Sequence, residues 1–251
     1  MRSFLTLILI ALVVSCANES KILNEVEAIE VDFVVERFDK AFGSASESDL
    51  PKLKQAYPFM FPKKYDDDFW LKRMNDTLQQ ELMQESSSVF ESFSNEKSEI
   101  TTLFKYLSYY FPSFKTPRVI LATSSVDYRN KVIATDTIVL ISIDTYLGRD
   151  HKFYNGIQKY LSQNFEREQI VVDLADSYAK KNVFQVNRKT LLDEMIYYGK
   201  LLYFKDMVIP FKSDAEKIGY SQEQLDWAIS NEFFIWNHFY SVKKRFLQKE
   251  I

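Results

Sequence analysis

Val119-Ile120-Leu121-Ala122, Val132-Ile133-Ala134 and the run from Thr137 to Ile143 are three apolar stretches rich in β-branched residues, set between regions of helical texture. Branching at Cβ stiffens χ1 and suits a pleated surface, so each stretch reads as a strand. Thr135-Asp136, between the last two, is a hairpin turn. Further upstream, Ile29, Val31, Phe33 and Val35 alternate with Glu30, Asp32 and Val34, the period of a strand with one buried face. Helical patterns occupy most of the rest. The expected fold class is therefore α+β: one helix-rich domain, with room for a subdomain, around a small antiparallel sheet.

The helices on either side carry their own punctuation. Asp66, Asp67 and Asp68 stand before Phe69, Trp70, Leu71, Met74, Leu78, Leu82 and Met83, and carboxylates at a helix start complement its dipole. A calcium loop would need spaced oxygens and a glycine turn, which this triplet lacks. Val89 to Tyr110 continues as a second helical region before Phe111-Pro112. From Phe153 onward the pattern is helical to the end. Ser221-Gln222-Glu223-Gln224 is a capping box for a long final helix, with Leu225, Ala228, Ile229, Ile235, Trp236, Phe239, Tyr240 and Phe246 on its apolar stripe. Between Asn187 and Phe204 a helix is apolar on nearly every side, which predicts a central, buried position.

Outward from the fold lies the N-terminus. Arg2 precedes Phe4 to Val14, an almost unbroken apolar run of eleven residues. A helix rises ~1.5 Å per residue and must cover about 30 Å of hydrocarbon, so this run is too short to span a bilayer. It fits the apolar core of an export signal. The run ends in Val13-Val14-Ser15-Cys16, apolar and small residues before cysteine, as in bacterial lipoprotein signals. Residues 1–15 are thus expected to be a signal peptide cut between Ser15 and Cys16. Residues 16–26 would be a lipidated tether, with palmitate or a similar acyl group on Cys16, and 27–251 the globular domain. The body would lie in the periplasm, tied to a membrane of the cell envelope. Lys249-Glu250-Ile251 leaves an amphipathic helix without a stop signal, which fits either a frayed end or a domain cut short at its C-terminus.

Composition narrows the chemistry. With 32 Lys+Arg against 35 Asp+Glu the net charge is −3, which argues against nucleic acid as a partner. Cys16 is the only cysteine, excluding an internal disulfide and any multi-cysteine metal site. The 21 Phe, 15 Tyr and 3 Trp point to a well-filled core. Only His151 and His238 are available as imidazole ligands, and a three-histidine zinc site cannot be made from two. Neither a phosphate-binding glycine loop nor a Gly-x-Ser-x-Gly turn is present. Asp193-Glu194-Met195-Ile196-Tyr197 keeps the frame of His-Glu-x-x-His with both histidines replaced. Asp193 and Glu194 read more simply as first-turn carboxylates, with Thr190 and Asp193 as a capping box. The expectation is a non-enzyme without metal or cofactor. The competing readings are a residual metallohydrolase, with Glu194 as base and Asp193 as ligand, and a solute-binding lipoprotein with an aromatic pocket.

Several stretches resemble the gliding-motility lipoprotein GldB family. They are Ile143-Asp144-Thr145-Tyr146-Leu147-Gly148, Phe165 to Tyr178 with Ile170-Val171-Val172-Asp173, Leu191 to Lys200, Met207-Val208-Ile209-Pro210, and Asn231-Glu232 with Trp236. The likeness is strongest between Tyr110 and Tyr240. It implies a lipid-anchored envelope protein of surface gliding and the associated protein secretion, working through contacts with envelope motility and secretion proteins. It also implies a shape similar to zinc-peptidase-like domains, with Asp193 and Tyr197 at the two histidine positions and hence a degenerate site. Members of the family usually run longer than this chain.

Overall fold

The computed structural model describes residues 21–187 and 190–247, with side chains as far as Ser241. Two compact units divide the chain, one ending at Ile209 and one starting at Pro210. Residues 21–27 are helical (α1), and Val26 on this helix is buried. Regular structure therefore begins inside the stretch expected to be a tether. Residues 29–34 follow without regular structure, and only Val35–Arg37 (β1) pairs with a neighbour. Then come α2 (Phe38–Gly43), α3 (Leu50–Ala56), α4 (Asp67–Asn75), α5 (Thr77–Val89) and α6 (Ser94–Tyr110). The sheet is completed by β2 (Arg118–Ala122), β3 (Val132–Ala134) and β4 (Ile138–Ser142). The short α7 (Lys159–Ser162), then α8 (Ile170–Asn182) and α9 (Leu191–Val208), close the first unit.

Local chemistry explains the boundaries. Asp66 caps α4 by accepting from the Phe69 N–H at 2.9 Å, with Asp67 and Asp68 in the first turn, as the acidic triplet predicted. Asp76 caps α5 by accepting from Gln79 N–H at 2.8 Å. Thr135 closes the β3–β4 hairpin, its N–H donating to the Ile138 carbonyl at 2.8 Å. β3 and β4 are antiparallel, with Ala134 opposite Val139.

The fold class is α+β, with a four-stranded sheet in the order β1-β2-β4-β3. The expectation of an antiparallel sheet needs correction. β2 runs parallel to both β1 and β4, with Val119 opposite Val35 and Val139. The cause is the route of the chain. After β2 it skips one position to lay down β3 at the edge, and the hairpin then brings β4 back between β3 and β2. Val119, Leu121, Val139 and Ile141 face one core with α6, α8 and α9 residues such as Leu103, Phe104, Leu174 and Phe204. Ile120 and Ala122, with Ile138 and Leu140, face a second core built on Phe38, Phe42, Leu53, Phe61, Trp70 and Met74. Strands buried on both faces have no polar alternation. Each fully buried aliphatic side chain here contributes roughly 1.5–3 kcal/mol.

At the exposed end of β2, Arg118 reaches across to β1. Its Nε and Nη2 donate to the two Glu36 carboxylate oxygens at 2.7 and 2.8 Å. Hydrogen bonding from Arg118 holds the Glu36 carboxyl below its ordinary value of 4.5, against the pull of burial. The stability this pair adds is complete above that ordinary value and is lost as pH falls through the lowered one. Both partners are part-exposed, so Glu36→Gln should cost less than about 1 kcal/mol. Urea midpoints of wild type and E36Q should differ at neutral pH and converge as pH falls through the lowered Glu36 value. A gap that persists in acid would show that the pair does not act through charge.

A second correction concerns α9. Only Leu201, Phe204, Lys205 and Val208 of this helix are buried. Leu191, Leu192, Met195, Ile196, Tyr198 and Tyr203 are exposed, Leu192 at 63 %. The helix joins the first core through Tyr197, Leu201, Phe204 and Val208, and leaves its N-terminal turns open.

In the second unit, α10 (Asp214–Ile218) carries the Ser213/Glu216 capping box and ends on Gly219 at φ 81°, a left-handed position that suits glycine. The Ser221/Gln224 capping box starts a helix as expected. That helix is broken: α11 (Gln222–Ser230) stops at Asn231, and α12 (Glu232–Leu247) begins anew.

Candidate functional site

The stretches Ile143 to Gly148 and Ile170 to Asp173 meet at the carboxyl end of the sheet. β4 runs into a 3-10 turn at Ile143–Thr145, which buries Asp144 completely. The Asp144 carboxylate accepts from Ser124 N–H at 2.9 Å and, through Oδ2, from Val126 N–H at 2.6 Å. It thereby clamps the loop that leaves β2, where Ser125 and Val126 hold φ of 61° and 60°. A β-branched residue in the left-handed region is strained and persists only where its surroundings impose it. Burial pushes the Asp144 carboxyl up, against the backbone N–H groups of Val126 and Ser124 that pull it down. From outside, the Ser125 hydroxyl accepts from Arg73 Nη2 and Gln79 Nε2, each at 2.9 Å.

The residues after Asp144 extend this bracket. Thr145 Oγ1 donates to the Ser142 carbonyl at 2.7 Å. Tyr146 is fully buried and donates to Asp173 Oδ2 on α8 at 2.7 Å. Burial, with the Asp173 charge beside it, pushes the Tyr146 hydroxyl well above its ordinary value. Lys131 Nζ pairs with the same Asp173 oxygen at 2.5 Å and lies over the Tyr146 and Phe165 rings. Tyr154 donates to the Asp144 carbonyl at 2.9 Å and accepts from Leu147 N–H at 2.8 Å. Gly148, at φ 109°, turns the chain so that its N–H meets the Phe165 carbonyl at 2.9 Å. The carboxylates and hydroxyls of this cluster are engaged inside the protein, and Asp144 is out of reach of any substrate. The chemistry is that of a rigid bracket joining the sheet to α8.

The residues singled out by motif lie elsewhere. Asp193 sits in the first turn of α9 as the capping partner of Thr190, whose N–H and Oγ1 it accepts at 3.1 and 2.6 Å. Glu194 accepts from Gln185 Nε2 at 3.4 Å. Tyr197 is turned against the core. His151 accepts from Phe153 N–H through Nδ1 at 3.3 Å and lies 3.7 Å from Glu85. His238 is exposed on α12. Among the described residues no group of three His, Cys, Asp or Glu converges as a metal site would require, and the zinc-peptidase likeness finds no support. Among them, too, no helix is long and apolar enough to cross a membrane. Ser15 and Cys16 lie outside the described residues.

Two hollows bear on solute binding. The aromatic one, about 230 Å³ between Phe38, Phe42, Tyr65, Trp70, Arg73 and Thr123, is smaller than the roughly 300–1,000 Å³ usual for ligand pockets. The larger, about 900 Å³, is lined mostly by polar residues such as Lys40, Gln80, Gln84 and Glu91. Neither resembles an aromatic solute pocket of useful size.

The bracket of Asp144, Tyr146, Lys131 and Asp173 was given no role from sequence. The available signal was a lone carboxylate inside each of two apolar runs, since a buried charge requires partners. No curated protein and no solved structure matches the chain. A family model described as gliding motility protein GldB matches residues 19–249. That span contains the whole described fold, bracket included, and the chain belongs to the GldB family of gliding-motility lipoproteins.

Proposed function

We propose that the protein is a lipid-anchored accessory of gliding motility and its associated secretion, held in the envelope through Cys16, with its body in the periplasm, and acting by protein contacts rather than catalysis. Family membership supports the motility role. The observation that carries the contact role is the open end of α9. Leu191, Leu192, Met195, Ile196 and Tyr198 all stand exposed within the first turns of the helix, a cluster of apolar side chains rather than a single one. A motility component of the envelope is the partner it would receive. The carboxylates beside them, Asp193 and Glu194, are engaged at the helix start and with Gln185.

A gliding assay in a deletion strain tests both halves. Wild type should restore spreading and take up labelled palmitate. Cys16→Ser should do neither, because several acyl chains at ~0.8 kcal/mol per buried CH₂ supply the attachment. Unchanged labelling of C16S would remove the anchor. Leu192→Arg with Ile196→Arg should leave the melting temperature nearly unchanged, as exposed substitutions shift stability by about 0.5 kcal/mol or less. The same variant should fail to restore gliding. Full rescue by it would remove the α9 surface from the proposal.

A further inference from the structure

We infer that α12 is a second membrane contact: a helix rich in aromatic and basic residues that lies in the interface of an anionic lipid surface. The inference rests on the lipid-anchor reading for the nearness of a membrane, and on the helix itself for its chemistry.

Phe233, Trp236, Phe239 and Tyr240 recur at spacings of three and four, which places them on one side of the helix. All four are exposed, Phe233 at 81 % and Tyr240 at 73 %. Trp236 and Phe239 lie side by side, with ring centroids 6.3 Å apart. Phe234 is exposed as well. Trp and Tyr rings prefer the boundary between headgroups and acyl chains, where an apolar body and a polar edge are both accommodated, and the phenylalanines add apolar area to bury there.

Charge decides between lipid and protein as the occupant. The last turns of the helix add Lys243, Lys244 and Arg245, and Glu232 is its only acid. This is a basic helix in a chain of net charge −3. Aromatic residues together with lysine and arginine are the composition of interfacial helices, which bind by buried apolar area plus attraction to anionic headgroups. Near such a surface each Lys or Arg adds attraction, an effect confined to about a Debye length. The exposed turns of α9 are different. Within the helix they hold Asp193 and Glu194 and no basic residue before Lys200, so its own charges do not favour an anionic surface.

The test uses the mature chain, residues 16–251 with Cys16→Ser, so that neither leader nor acyl group contributes; no described residue is lost. It is sedimented with vesicles of phosphatidylethanolamine containing about a quarter phosphatidylglycerol, and separately with phosphatidylcholine vesicles. Binding to the anionic vesicles alone, weakening with salt, is expected. Phe233→Ser, Phe234→Ser and Trp236→Ser combined should lower it about tenfold with the melting temperature unchanged. Lys243→Glu with Lys244→Glu, which keeps every aromatic ring, should also lower it. Absence of binding by the wild-type helix, equal binding to both vesicles, or undiminished binding by the aromatic variant would overturn the inference. So would a dimer, seen by sedimentation velocity and lost in the aromatic variant, without vesicle binding. Palmitate labelling at Cys16 reads the anchor separately, so the two ideas fail independently.

Discussion

Replacing Asp144 with alanine is expected to lower the free energy of unfolding by about 3 kcal/mol, the cost of leaving partly buried N–H donors without acceptors. Ser124 and Val126 donate to this one carboxylate, at 2.9 and 2.6 Å. The loop they belong to holds Ser125 and Val126 in the left-handed region, a strain of order 1–3 kcal/mol per residue that the clamp must outweigh. Without the clamp both residues can relax to negative φ, so the loss should show locally as well as globally. Asp144→Asn keeps the volume but offers one acceptor oxygen and turns an NH₂ toward donors, so about half the loss should remain. Guanidinium denaturation with an unchanged slope measures the first effect. Limited proteolysis between Ser124 and Asn130 measures the second. If D144A stays within about 0.5 kcal/mol of wild type and resists cleavage, the bracket is not what holds the loop.

How far the sequence carries the fold is best seen strand by strand. The β3–β4 hairpin was legible because Thr135-Asp136 is local chemistry. The direction of β4 relative to β2 was not, because it depends on which side of β2 the hairpin docks. A hint did exist: Val119-Ile120-Leu121-Ala122 and Ile138-Val139-Leu140-Ile141 are continuous apolar runs, as expected of strands covered on both faces in parallel sheets. At the start of the domain the alternation from Ile29 to Val35 correctly predicted sidedness, with Phe33 buried and Val34 exposed. Its reading as a strand holds only from Val35, since alternation reports an extended chain on a surface and pairing requires a neighbour. Only from Val35 is one present.

The site was less legible for a related reason. Motif reasoning looks for residue types at helical spacing and so settled on Asp193, Glu194 and Tyr197. The groups that are built into the structure, Asp144, Lys131 and Asp173, come from separate segments and meet only in space. For α9, an apolar circumference was read as burial, yet half of it is open. Side-chain chemistry alone cannot tell a face covered by the chain's own core from one left for another molecule.

Arg167→Ala is expected to cost about 2 kcal/mol, less than the roughly 3–5 for a fully buried ion pair, because Glu96 is buried while the arginine is about a third exposed. Arg167 uses all three guanidinium nitrogens: Nε donates to Glu96 Oε1 at 2.7 Å, Nη1 to the Val89 carbonyl at 2.9 Å and Nη2 to the Ser92 carbonyl at 2.8 Å. It also lies over the Phe90 ring, which is fully buried. Together these contacts tie the end of α5 to the start of α6 and both to the turn before α8. Without the arginine, Glu96 is left as a buried carboxylate whose Oε2 already has no protein partner. Arg167→Lys should recover little, since one ammonium cannot reach three acceptors in a planar fork. The double variant Arg167→Ala, Glu96→Gln should recover part of the loss, because the stranded charge is gone while the Val89 and Ser92 carbonyls remain uncapped. A double-mutant cycle from chemical denaturation yields the coupling directly. Coupling near zero, with R167A alone still costly, would assign the stability to the two carbonyl caps and the ring contact rather than to the ion pair.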